Sequence, residues 1–319
     1  MKFPSATLAT GLIAMAAFAC GHALAQNPIR IIVGAPPGGT TDNLARAVAK
    51  GMEGPLKRPV IVENKPGAGG NIAADYVAKS APNGETILMS FTSHTVNPTL
   101  YKKLPFDTVK DFTAITMIAT VPSVLIASHS MPANNVAELI DYAKKNPGKL
   151  NFALGGIGSS LHLASEQFKM MTGADIVNVS YKGTAPALTD VIAGHVDLMF
   201  ASTINVLPHA HSGKIKLLGV TSATPMAQFP NTPPIGATVK GFESNAWFGL
   251  FGPAKLPAET TQQLFEAAKK AIADPTFQKR LEDDGGRPAA MTPAQFESFV
   301  VQDIQRWAKI VKFSGAVVE

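Results

Sequence analysis

Residues 29–52 read IRIIVGAPPGGTTDNLARAVAKGM, and the fold is argued outward from this stretch. Ile29–Val33 is a short, β-branched apolar run, which reads as a buried strand. Ala35-Pro36-Pro37-Gly38-Gly39 interrupts it as a loop. From about Asp42 to Met52, Leu44, Ala47, Val48 and Met52 recur at helical spacing and make one apolar stripe. Strand, glycine loop and helix in succession form the unit of an α/β fold.

The same grammar repeats along the chain. Val60–Val62 reads as a strand, Pro66–Gly70 as a loop, and Asn71–Ser80 as a helix with Ile72, Tyr76 and Val77 inward. Further strands are expected at Thr86–Phe91, Leu125–Ala127, Leu150–Leu154, Ile176–Tyr181, Val196–Phe200 and Lys214–Val220. Helices are expected at Val136–Lys145, after Ser160 through Met171, and at Thr184–Ala193, Pro257–Ala273 and Pro275–Glu282. A last helix starts with Thr292 as cap, Pro293 in the first turn and Gln295 three after the cap. The alternation predicts two α/β lobes with mainly parallel strands and a cleft between them. No fixed-period repeat argues for a solenoid.

Composition narrows the class. The chain has 319 residues, 46% hydrophobic and 16% charged, too apolar for a disordered protein. Met1–Ala25 holds Lys2, an apolar run from Leu8 to Cys20 and a small-x-small ending at Ala23-Leu24-Ala25, the pattern of a secretory signal peptide cleaved after Ala25. The run is too short for a membrane span, and Ala17 and Phe18 fit a lipidation box poorly. Cleavage would remove Cys20, the single cysteine, so thiol nucleophiles and cysteine metal sites are excluded from the mature chain. It would also take one unit from a formal charge of +5, leaving a mild basic bias. Paired lysines are dispersed and no nucleic-acid signature is present.

Ligands of open α/β sheets bind beyond the carboxyl ends of strands, so the strand-to-helix loops carry the candidates. Ala35, Pro36, Gly38, Gly39 and Thr40 precede a helix whose free N–H groups and positive dipole end suit a carboxylate or phosphate. Thr40 and Thr41 can cap that helix or bond a ligand. Asp42 has three available roles: complementing the dipole, fixing the loop, or balancing a ligand ammonium. Gly155, Gly156, Ser159 and Ser160, with His162 in the following turn, repeat the geometry. Their spacing matches neither a Walker loop, a dinucleotide fingerprint nor a nucleophile elbow. Tyr181, Lys182, Gly183, Thr184 and Ala185 form a third loop, in which Lys182 offers a positive charge and Thr184 a cap. Ser90, Thr92 and Ser93 form a fourth, and Ala201 and Ser202 a weaker case. His209-x-His211 would place its imidazoles on different faces of a helix, so no metal is expected.

These motifs together resemble the Bug-type periplasmic solute receptors of the tripartite tricarboxylate transporter family. The matching pieces are IRIIVGAPPGGTTDNLAR (29–46), VIVENKPGAGGNIAADYVAKSAPNGETILM (60–89), NPTLYKKLPFD with KDF (97–112), GSSLHLASE (158–166), VSYKGTAPALTDVIAGHVDLMF (179–200) and the stretch from Trp307 to Ala316. The resemblance implies a two-lobed, type II flytrap fold with crossover strands at Ala114–Ala127 and Asn245–Phe251. Lobe one would hold 26–121 plus 248–319, and lobe two 122–247. It further implies a ligand carboxylate held by backbone N–H groups and ordered water from Ala35–Asp42, Ser90–Ser93, Gly155–Ser160 and Tyr181–Ala185. Many members have Phe or Tyr where this chain has Ala35, which would leave room for a bulkier ligand.

The expectation is a monomeric periplasmic binding protein for a small di- or tricarboxylate or acidic amino acid. It would deliver its ligand to membrane permease subunits, without cofactor, metal or catalytic residue. Rival readings are a receptor for an aromatic acid or amide, a ligand-presenting partner of a sensor kinase, and a hydrolase using Ser159 or Ser160.

Overall fold

The computed structural model describes residues 27–156 and 158–318; the expected signal peptide lies outside them. The first sheet takes β1 (Ile29–Val33), β2 (Val60–Asn64), β3 (Thr86–Phe91), β4 (Phe112–Val121), β10 (Ala246–Pro253) and β11 (Arg287–Pro288). Its order is β11-β4-β10-β3-β1-β2. The second sheet is β7-β6-β8-β5-β9, formed by β5 (Ser123–Ser128), β6 (Leu150–Leu154), β7 (Ile176–Ser180), β8 (Leu198–Ser202) and β9 (Ile215–Val220).

Alternation with period two explains why the strands read as continuous apolar runs. Ile31 and Val33 of β1 point into one core with Leu44, Val48 and Met52, while Ile32 joins the opposite core with Trp247, Phe251 and Phe296. In the second sheet Leu125 and Ala127 face one core, and Val124 and Ile126 the other. Both sheets are covered on both faces.

The helices that matter for the site are α1 (Thr40–Leu56), α2 (Asn71–Ala78), α3 (Ser93–Leu100), α4 (Val136–Lys145), α5 (Ser160–Thr172), α6 (Thr184–Ala193) and the short α7 (Thr203–Val206). The tail carries α8 (Ala258–Ile272), α9 (Pro275–Asp283) and α10 (Pro293–Ser314). The capping box at Thr292 and Gln295 forms as its sequence predicts.

Three readings are corrected. The sheets are mixed: β1–β2, β1–β3, β6–β7 and β6–β8 run parallel, but β10 is antiparallel to β3 and β4, and β5 to β8 and β9. The reversal follows from the chain passing from one sheet to the other and back. The first crossover is two strands divided at Pro122, which has no N–H to continue a ladder. The second begins within the first sheet, where Ala246 pairs with Val121 and Trp247 with Thr120. Ile72, expected inward, is 52% exposed, because α2 buries Asn71, Ala73, Ala74 and Val77 instead.

Candidate functional site

The loop from β1 into α1 is held by Asp42. Its carboxylate is buried and accepts from the Gly38 N–H at 2.9 Å, Asn64 Nδ2 at 2.9 Å and Arg46 Nε at 3.0 Å. Asn64 Nδ2 also donates to the Ala35 carbonyl, tying β2 to the same loop. Burial pushes the carboxyl pKa up, but the bonds from Arg46, Gly38 and Asn64 outweigh it and hold the value at about 2. Of the three roles open to Asp42, these contacts perform loop fixing.

Helix α1 starts without a side-chain cap: Gly39 stands at the N-cap, and neither Thr40 nor Thr41 caps it. The first intrahelical bond is Asn43 N–H to the Gly39 carbonyl at 2.9 Å. The Thr40, Thr41 and Asp42 amides therefore precede the helical ladder and have no acceptor within it. Pro36, Gly38 and Gly39 are exposed at the loop, whereas Ala35 packs against the first core.

Helix α5 starts similarly. Ser159 caps it by accepting from the His162 N–H at 3.2 Å, and its Oγ donates to the Gly156 carbonyl at 2.8 Å. The Ser160 and Leu161 amides remain ahead of the ladder, since Leu163 makes the first bond, to the Ser159 carbonyl. Gly158 has φ +77°, a conformation that favours glycine, and a β-carbon there would lie 2.6 Å from Leu100 Cδ2. His162 is buried and supports this turn: Nδ1 accepts from the Gly158 N–H at 3.0 Å, and Nε2 lies 3.7 Å from Glu166. Burial lowers its pKa against the opposing charge of Glu166. The imidazole thus shapes the loop and lines neither cleft cavity described below.

The two helix starts reach one cavity of about 490 Å³, lined by Thr40 and Thr41 from α1 and by Gly158, Ser159 and Ser160 from the other lobe. Phe91, Thr92, Ser93, Asn97, Leu100 and Tyr101 supply a further wall. A smaller cavity of about 170 Å³ shares Thr40, Ser160, Ala246 and Phe248 with it and adds Ser123, Ser202 and Ser244. Neither is lined by a charged side chain among the described residues. A larger groove of about 700 Å³ lies on the outer face between the end of α1 and α8, away from both helix starts.

The other expected residues divide. Thr92 lines the cavity and accepts from the Trp247 N–H at 3.0 Å; Ser93 lines it and donates to the Gly69 carbonyl at 2.8 Å. Ser90 is buried in β3, and Ala201 is fully buried in the second lobe's core. Tyr181 donates to Asp190 Oδ2 at 2.7 Å, and burial together with this bond pushes its phenol to about 12. Lys182 is exposed. Thr184 does not cap α6, where Gly183 stands without a side-chain bond. Thr184 instead abuts the α5 loop, 2.9 Å from where a Gly155 β-carbon would lie. The Tyr181–Ala185 loop buttresses the cleft loop and lines neither cavity. Sequence reasoning missed Asn97, Leu100, Tyr101, Ala246, Phe248 and Val318, which reach the cleft only through tertiary packing.

Two α/β lobes, with a helix start from each reaching one cavity, are the arrangement of a solute-binding receptor. The chain belongs to the tripartite tricarboxylate transporter family receptors, whose pattern matches residues 44–316. It is 34% identical to the periplasmic binding protein BugD, covering 92% of this chain and 99% of that one with a TM-score of 0.74. An adipate-bound protein of R. palustris, Rpa4515, is 33% identical over 91% of this chain and 98% of its own, with a TM-score of 0.76. MatC from Rhodopseudomonas palustris with bound malate is 29% identical over 89% and 98%, with a TM-score of 0.72.

Proposed function

We propose that the protein captures a small dicarboxylate in the periplasm and hands it to the membrane subunits of a tripartite tricarboxylate-type transporter. The carrying observation is the convergence of two helix starts, from α1 and α5, on one cavity that no charged side chain lines among the described residues. Amides that precede a helical ladder, at positive dipole ends, hold carboxylates by hydrogen bonds. The adipate and malate bound by the two relatives support the dicarboxylate class. In this reading cleavage after Ala25 releases a monomer. Its lobes are residues 27–121 with 246–318, and residues 122–245. Capture closes them because the closed state binds the ligand more tightly than the open one.

Phe91 and Phe248, both at the cavity, favour an aromatic acid as the second reading. A thermal-shift screen of ligand-stripped protein separates the two. A bound acid at 100 times its Kd should stabilise by about 2.7 kcal/mol, while cationic amines and neutral amides should leave the melt unmoved. Thr40→Pro deletes one N–H at a position where proline suits a helix. It should weaken the acid at least tenfold in calorimetry, whereas Thr40→Val should keep most affinity. Equal effects of both substitutions would remove the backbone-donor mechanism.

A further inference from the structure

The chain beyond α10 takes part in the cleft. Helix α10 ends at Gly315, and Ser314 Oγ accepts from the Ala316 N–H at 3.1 Å, turning the chain back. Val318 then pairs in parallel with Tyr101. Its N–H donates to the Leu100 carbonyl at 2.8 Å, and its carbonyl accepts from the Lys102 N–H at 3.2 Å. The tail is thereby sewn, by backbone bonds at both sides of one residue, to the end of α3. Val317 is 57% exposed, whereas Val318 is packed with Tyr101 against the cluster of Leu100, Leu163 and Trp307. This is the alternation of an extended segment.

Val318, Leu100 and Tyr101 line the same cavity as Thr40 and Ser160. The hydroxyls and free amides of the helix starts are suited to the carboxylate. Leu100 and Val318 offer hydrocarbon and Tyr101 a ring, surfaces suited to the ligand's carbon body. We propose that Val318, carried there by the tail and standing with Leu100 and Tyr101, is a wall of the binding cavity that selects acids by the length of their carbon chain. The proposal rests on the carboxylate reading above. The wall is held on α3, the element that also carries Ser93 and Asn97 to the cavity, so it stays in register with the site.

The test is calorimetry on the full mature chain with linear dicarboxylates from succinate to suberate and monocarboxylates from butyrate to octanoate. A buried methylene is worth roughly fourfold in Kd, so a shifted wall should be visible as a shifted optimum. Val318→Trp should weaken the longest acids at least tenfold and leave the shortest within threefold. Val318→Gly should move the optimum to longer chains. A uniform change across lengths, or no change, in variants of a wild type that binds would overturn the wall alone. A wild type that binds no member of either series would overturn the carboxylate reading and the wall with it.

Discussion

His94 shows how one residue's setting decides its chemistry. It sits one position beyond Ser93, yet its ring is buried against Phe112, Phe251 and Phe106, with Nε2 unpartnered. Burial alone lowers its pKa from 6.5 to about 3. The unfolded chain therefore binds a proton below pH 6.5 that the folded chain refuses, and stability falls as pH drops from 6.5 toward 3. The expected loss is on the order of 1 kcal/mol per pH unit in that window. Urea unfolding between pH 6.5 and 4.5 should show this slope, and His94→Phe should flatten it by about that amount. Parallel slopes for wild type and variant would place the pH dependence elsewhere. The hydroxyls of Ser90, Thr92 and Ser93 stand out in the sequence, and of these Thr92 and Ser93 line the cavity. The setting of the neighbouring imidazole could not be read, because Phe106, Phe112 and Phe251 come around it only through the packing of separate segments.

At the scale of elements, α10 joins what the sheets divide. Its Asp303 is buried and accepts from Thr95 Oγ1 at 2.6 Å, Trp247 Nε1 at 2.8 Å and Trp307 Nε1 at 3.0 Å, and pairs with Arg306 at 2.7 Å. One carboxylate thus ties α10 to α3 and to β10. The Arg306 guanidinium also donates to the Glu243 carbonyl in the segment leading into β10. Asp303→Ala would leave both indole N–H groups and the arginine without this acceptor. The cost should be about 3 kcal/mol, the low end for breaking a buried charge pair, since Arg306 is partly exposed. Denaturant unfolding followed by tryptophan fluorescence reads it directly, because the chain's two tryptophans both touch Asp303. A change under 1 kcal/mol would mean that water or a neighbour replaces the carboxylate. The helix itself was legible from its capping box, but its partners were not.

At the scale of the molecule, the lobes also meet through an apolar cluster behind the cleft wall. Leu163 of α5 is fully buried among Leu100, Trp307, Ile310 and Val311, which belong to the other lobe's helices. Leu163→Ala should cost about 2–5 kcal/mol and raise the radius of gyration in solution scattering as the lobes separate more often. An unchanged radius with the stability loss would make this contact a core contact only. The sequence by itself determined the α/β alternation, the glycine loops ahead of α1 and α5, and the family, because hydrophobic period, caps and turn residues act over a few neighbours. Only the tertiary structure decided that the sheets are mixed, that Trp247 pairs with Thr120 in the first sheet, and that His162 and Tyr181 support loops. It alone brought Val318 to the cleft. Those outcomes depend on which distant surfaces bury one another, and burial and backbone pairing between segments leave no local pattern to read.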